Sequence, residues 1–169
     1  FQPNYSLLRV NLKTGKGRRF KSGVDNTVDW FVDKDGTVLA REDYNNTTDT
    51  YRVYTYVNGK RELIYELETS QLPPGVTGIK ADRSALLFSD GSDADESGNV
   101  YELYFSGQLT PASLGGKGGT IERIIKDGNR FVLGVEYSGA VPSYKFYDPD
   151  VDAAVSGMVN QVSTASVNL

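Results

Sequence analysis

Two interleaved series of turn corners, repeating every 44 to 48 residues, constrain the fold of this chain more than any other feature of its sequence. One series has glycine at the corner, and its members are Gly15, Gly59 and Gly107. The other has aspartate at the corner, and its members are Asp35, Asp82 and Asp127. Short apolar and aromatic segments flank every corner, which is typical of β-hairpins. The chain therefore repeats a pair of hairpins at a nearly constant interval.

A pair of hairpins supplies four short strands, which is the content of one blade of a β-propeller, and propeller repeats run to about 40–50 residues. The 11 Tyr and 7 Phe residues also favour strands. We therefore predict an all-β fold, a partial β-propeller of about three four-stranded antiparallel blades within residues 1–147. The alternative is a β-sandwich, which also has short strands with turns every ~8–12 residues but does not require two series of corners with one shared period.

Residues 148–169 are predicted to form a short C-terminal helix and a tail. Asp148 can cap this helix, and Pro149 suits its first position because proline lacks the N–H that the first turn leaves unbonded. Apolar residues then recur at helical spacing, at Val151, Val155, Met158, Val159 and Val162. These residues share one face of the predicted helix.

The number of repeats has a consequence for partners. Closed propellers have about 4–8 blades, so an arc of three would leave open sheet edges at both ends. Open edges pair readily with other strands. We therefore expect a partner, either the rest of a longer protein in cis or a second copy of the chain joined through open blade edges. The chain starts at Phe1 rather than Met, so we also expect a removed leader or an excised piece.

Composition excludes several other classes of function. The net charge is −4 and the sequence pI about 4.9, so nucleic-acid binding is not expected, and the basic residues Lys16, Arg18 and Arg19 are interpreted as a solvated strand face. No apolar run approaches the ~18 residues of a membrane span, so no membrane partner is expected. The chain has no Cys and no His, which removes thiolate chemistry and the usual general base.

The order of these hairpins resembles the N-terminal propeller of bacterial prolyl oligopeptidase-family serine peptidases. The segment "LLRVNLKTGKGRRF" leads into "VDWFVDKDGTVLAREDY" and then "YRVYTYVNGKRELIYEL". The later segments "NVYELYFSGQLT" and "SYKFYDPDVDAAV" resemble the same proteins, so the similarity runs from Tyr5 to Val159. It lies in the rhythm of hairpins and in the tail rather than in catalytic signatures.

The resemblance implies a non-catalytic module that gates or supports an α/β-hydrolase domain in cis. The family's catalytic Ser, Asp and His belong to that hydrolase domain, and this chain has neither a His nor a Gly-x-Ser-x-Gly elbow to present a nucleophile. We therefore predict no catalytic residue and no cofactor here. Two alternatives stay open: a stand-alone protein-binding propeller, and a β-sandwich that binds carbohydrate or calcium.

Two acidic groups are weaker site candidates. Asp93, Asp95 and Ser97, followed by Gly98, match the first six positions of a calcium loop, although Tyr104 stands where that loop needs a bidentate Glu. Paired carboxylates of the kind that hydrolyse glycosides could come from Glu42, Asp43, Glu96 or Glu136. We interpret both groups as solvated loop and strand ends in preference to these sites.

Overall fold

A computed structural model describes residues 4–70, 73–89, 100–114 and 120–161 of the chain. Those residues form thirteen strands and one helix. The chain divides into two compact units, Phe1–Pro73 and Pro74–Leu169, and each is described by itself. The prediction of a mostly β fold with one short helix near the C-terminus is confirmed.

The first unit contains two antiparallel sheets. The first sheet is the hairpin of β1 (Leu7–Val10) and β2 (Gly17–Lys21). The second is a four-stranded meander, in the order β3–β4–β5–β6. Its strands are β3 (Thr27–Val32), β4 (Val38–Asn45), β5 (Thr50–Thr55) and β6 (Glu62–Glu68). Fully buried side chains on its two central strands include Ala40, Val53 and Thr55.

The second unit contains one seven-stranded open sheet in the described residues. Its first part is an antiparallel meander of four strands, β7 (Gly75–Lys80), β8 (Ala85–Ser89), β9 (Val100–Tyr104) and β10 (Leu109–Pro111). Its second part is an antiparallel meander of three strands, β11 (Ile121–Lys126), β12 (Phe131–Tyr137) and β13 (Ser143–Phe146). A short parallel pairing of β12 with β7, through Phe131 with Ile79 and Val132 with Lys80, joins the two parts.

All six predicted hairpins are present, and their corners have the geometry that the sequence indicates. The glycine corners have positive φ, at 66° for Gly15, 74° for Gly59 and 89° for Gly107. This is the left-handed region that glycine enters without steric cost. These corners join β1 to β2, β5 to β6 and β9 to β10.

The aspartate corners share a local hydrogen bond. The backbone N–H two residues further on donates to the carboxylate, over 2.8 Å at Asp35, 2.9 Å at Asp82 and 2.9 Å at Asp127. This side-chain turn is the reason that Asp is favoured at such positions. These corners join β3 to β4, β7 to β8 and β11 to β12.

The core of the second unit lies around β8, β12 and the segment after β10. Its buried residues are Leu87, Ala112, Leu114, Val132, Val135 and Tyr137. Burying these side chains removes apolar surface from water, which is the main stabilising term of such a unit. A smaller apolar cluster lies between β13 and the helix and consists of Tyr144, Phe146 and Val155.

The predicted helix, α1 (Pro149–Gln161), begins at its expected cap. The backbone N–H groups of Asp150 and Val151 donate to the Asp148 carboxylate over 2.9 and 3.2 Å. The described part of the predicted apolar face is only partly covered, and its last member, Val162, lies outside the described residues. Val155 is buried and Val159 half-buried, whereas Val151 and Met158 stay 41% and 52% exposed. The tail that was predicted after the helix lies outside the described residues.

Candidate functional site

A buried carboxylate, Glu102 on β9, is the centre of the most connected polar cluster in the second unit. Its side chain is almost fully buried and accepts a hydrogen bond from Lys80 Nζ at 2.9 Å. The hydroxyl groups of Tyr104 and Tyr147 donate to it over 2.8 and 3.1 Å. Ser113 Oγ lies 3.3 Å from the other carboxylate oxygen. Both carboxylate oxygens of Glu102 are therefore hydrogen-bonded, as a buried charge requires.

Long-range strand pairing assembles this cluster. Lys80 ends β7, while Glu102 and Tyr104 lie two residues apart on β9 and so share a face of the sheet. Tyr147 follows β13 and comes from the other part of the sheet. Its ring centroid lies 5.2 Å from Lys80 Nζ, close enough for a cation–π contact.

Electrostatic interactions within the cluster favour the charged forms of Lys80 and Glu102. Burial disfavours a charged Lys80, but the hydrogen bond and the charge of Glu102 outweigh it and raise the lysine pKa. Burial likewise disfavours a charged Glu102, but the hydrogen bonds from Lys80 and Tyr104 outweigh it and lower the carboxyl pKa. Burial, together with the Glu102 charge, raises the pKa of the Tyr147 phenol.

These shifts determine what the cluster can do chemically. A general acid or base works best with a pKa near the working pH. Here the carboxyl pKa is lowered and the lysine pKa is raised, so both groups move away from neutrality. The arrangement is that of a fixed ion pair that connects β7 to β9. A pocket of about 370 Å³ beside it is lined by Lys80, Ala81, Asp82, Tyr147 and Asp148.

The first unit has a second buried ion pair, between Arg41 and Asp43 on β4. Arg41 Nη2 lies 2.6 Å from the carboxylate, whose other oxygen accepts a 2.9 Å hydrogen bond from Thr27. The guanidinium lies between the rings of Trp30 and Tyr54, 5.5 and 5.0 Å from their centroids. Arg41 Nε is buried and has no hydrogen-bond partner in the part of the chain that the structure describes. A cation at these distances from two aromatic rings is attracted to both.

A pocket of about 320 Å³ lies beside the β1–β2 hairpin of the first unit. Its walls include two cations, Arg9 and Lys21, two aromatic rings, Phe20 and Tyr56, and one carboxylate, Asp35. Arg9 lies 4.4 Å above the ring of Phe20, and Lys21 lies 6.0 Å from the ring of Tyr56. The excess of positive charge makes this pocket suitable for an anionic group.

The structure describes only some of the site residues proposed from the sequence. Asp93, Asp95 and Ser97 lie outside the described residues, as does Glu96. Glu42 and Asp43 are neighbours on β4 and therefore point to opposite faces of its sheet. Glu136 pairs with Arg123 at 2.7 Å. Glu42 and Asp43 belong to the first unit and Glu136 to the second.

The basic residues of the first hairpin lie as expected. Lys16, Arg18 and Arg19 are all exposed on or beside β2. Within the described ranges, no group of three or more His, Cys, Asp or Glu side chains could hold a metal ion. No helix in those ranges is long and apolar enough to cross a membrane.

Sequence reasoning missed Glu102, Lys80, Tyr104 and Tyr147. One signal was available: Glu102 stands in the middle of the apolar-aromatic strand "NVYELYF", where an unpaired charge would be costly. Its partner Lys80 is 22 residues away, and only strand pairing brings the two together.

Comparison of the chain with protein-family models, with curated proteins and with solved structures finds no match.

Proposed function

We propose that this chain is a non-catalytic β-propeller segment that gates or supports a serine hydrolase domain of the prolyl oligopeptidase type. The observation that carries the proposal is the strict alternation of six hairpins. Glycine corners alternate with aspartate corners along the whole described chain, and each kind keeps its own local geometry. Such repetition of one supersecondary unit is the pattern expected of propeller blades.

The grouping of the strands supports the same proposal. Each aspartate-cornered hairpin is followed by a strand that pairs antiparallel to it, and this gives meanders of four, four and three strands. A four-stranded antiparallel meander is the content of one blade. The pairing leaves β6 and β10 at open sheet edges in the described residues, so a radial arrangement would need further blades to close.

The proposed mechanism is steric. A gate must keep its shape while substrate passes, and the buried Lys80–Glu102 pair connects β7 to β9 across the strand between them. In the Lys80–Glu102 pair the carboxyl pKa is lowered and the lysine pKa is raised, which suits a structural ion pair. The chain would select substrates by size and position, while a separate domain supplies the Ser, His and Asp of the reaction.

The test is a comparison of substrate lengths on the complete gene product. The proposal predicts that kcat/KM is highest for short peptides and falls steeply for long unfolded chains and folded proteins. The control is the same set of cleavage sequences assayed with a hydrolase domain that has no propeller. Equal cleavage of short peptides and folded proteins by the complete gene product would refute the gate.

A stand-alone protein-binding propeller is the second candidate, and the cationic pocket of the first unit favours it. Arg9 and Lys21 could pair with an acidic side chain, while Phe20 and Tyr56 contact its apolar part. Fluorescence anisotropy with a labelled Glu-rich peptide tests this candidate. Saturable binding that Arg9→Ala and Lys21→Ala each weaken would support it, and equal binding by the parent chain and both pocket variants would remove it.

A further inference from the structure

The β1–β2 hairpin lacks a neighbour that both other glycine-cornered hairpins have. In the described residues, β1 belongs to a sheet of two strands. The corresponding first strands of the other two hairpins, β5 and β9, each pair along their length with the second strand of an aspartate-cornered hairpin, β4 or β8. An isolated two-stranded hairpin is at best marginally stable in water.

The corners fix which residues of the three hairpins correspond. The glycine N–H donates to a carbonyl at the end of the first strand, that of Asn11, Tyr56 or Tyr104. Counting back from these three residues places Val10 at the position of Thr55 and Leu103. Two residues further back, Leu8 takes the position of Val53 and Tyr101.

Burial at these positions differs sharply between the hairpins. Thr55, Val53 and Leu103 are fully buried, with 0% of each residue exposed, and Tyr101 is half-buried. Their counterparts on β1 are 48% exposed at Val10 and 58% exposed at Leu8. Apolar side chains at positions that are otherwise buried indicate a surface that a partner covers.

The repeat also specifies the partner. On β4 and β8 the residue opposite the Val10 position is Ala40 or Leu86. We propose that the free edge of β1 accepts an antiparallel strand of this kind, with an apolar residue opposite Val10. This strand belongs to an aspartate-cornered hairpin, which a further segment of the same protein supplies. The proposal deepens the proposed function, because it rests on the same repeat of hairpins.

A second copy of the chain is not the source of this strand. Among the described strands, β4 lies between β3 and β5, β8 lies between β7 and β9, and β12 pairs with β11 on one side and with β7 and β13 on the other. A folded copy therefore has no strand of this kind to donate without dismantling one of its own sheets.

A fusion protein tests the proposal. A second copy of residues 26–48 is placed directly before Asn4, which preserves the spacing that joins β4 to β5. The control fusion has Ala40→Pro in the added copy only, because proline cannot donate to a ladder in the middle of a sheet. Hydrogen exchange is measured on β1 in the chain alone and in both fusions, and exchange on β3–β6 reports that all three proteins fold.

The expected result is that the β1 amides exchange about tenfold more slowly, or slower still, in the first fusion than in the chain alone or the control fusion. Equal exchange in both fusions, with β3–β6 equally protected, would overturn the proposal. So would strong protection of β1 in the unfused chain. Protection in the first fusion would stand even if the complete gene product has no hydrolase domain, so this experiment and the substrate-length test can fail separately.

Discussion

Lys80 Nζ lies 2.9 Å from a carboxylate oxygen of Glu102, a side chain that is only 3% exposed. The pair joins β7 to β9, two strands of one sheet that are separated by β8. Removing one member of a buried pair leaves the other charge without compensation, which costs more than the intact pair contributes. The pair is therefore the point at which a single substitution should loosen the second unit most.

The first prediction concerns the removal of Glu102. Glu102→Ala should lower the free energy of unfolding by about 3–5 kcal/mol, because it removes the carboxylate that Lys80 and two tyrosine hydroxyl groups bond to. The matched control is Glu122→Ala, at an exposed position of β11. This substitution should change the free energy of unfolding by less than about 0.5 kcal/mol. Urea unfolding of the two variants measures both values. Similar costs for Glu102 and Glu122 would contradict a structural role for the buried pair.

The second prediction concerns acid. The pKa of Glu102 is lowered on folding from its ordinary value of 4.5, so its stabilising contribution is present above pH 4.5 and is lost as the pH falls through the folded value. Glu102→Gln should therefore show a shallower loss of stability in acid than the parent chain. Urea midpoints measured from neutral pH down to about 3 test this. Parallel curves for parent and variant would contradict it.

At alkaline pH the same pair loses its stabilising contribution through Lys80. The pKa of Lys80 is raised on folding from its ordinary value of 10.5, so its contribution is present below pH 10.5 and is lost as the pH rises through the folded value. The pair should thus stabilise the second unit throughout the neutral range. Its contribution to the free energy of unfolding should not change with pH in that range.

The third prediction concerns Arg41. Arg41→Met should cost about 3–5 kcal/mol because Asp43 stays buried without its cation, and the double variant with Asp43→Asn should recover part of this loss. The control is Arg52→Met, since Arg52 and its partner Glu66 are 36% and 45% exposed, and an exposed pair contributes about 0–1 kcal/mol. If the double variant is no more stable than the single one, the account of this charge pair is wrong.

The fourth prediction concerns the glycine corners. Gly59 has a φ of 74° and open space where a Cβ would lie, so Gly59→Ala should cost about 1–2 kcal/mol through backbone strain alone. Gly128 also has open space but no positive φ, so Gly128→Ala should be neutral or slightly stabilising. Thermal unfolding compares the two variants. An equal effect of both substitutions would show that the positive φ is not the reason for the cost at Gly59.

The hairpins could be predicted from the sequence because their determinants are local. A positive φ at Gly15, Gly59 or Gly107 and a side-chain turn at Asp82 or Asp127 depend on two or three neighbouring residues. Chain order then places consecutive strands side by side. The cap of the helix at Asp148 was predictable for the same reason.

The polar clusters and the helix packing could not be predicted because their determinants are distant in the sequence. Lys80 and Tyr147 reach Glu102 only after strands from two meanders have paired. Val151 and Met158 fit a helical face, yet α1 packs on β13 through Val155 and Val159, while Val151 and Met158 stay exposed. Periodicity predicts which residues share a face and does not predict how wide the covering surface is.

The central claim is that this chain contributes no catalytic group to a protein whose hydrolysis is carried out elsewhere. The most direct test is to treat the complete gene product, and separately residues 1–169, with a fluorophosphonate that labels activated serines, and to locate the label by peptide mass spectrometry. The account predicts a single labelled serine in the complete protein, outside residues 1–169, and no label on the separate chain. A labelled serine within residues 1–169, or a complete protein without any labelled serine, would contradict it.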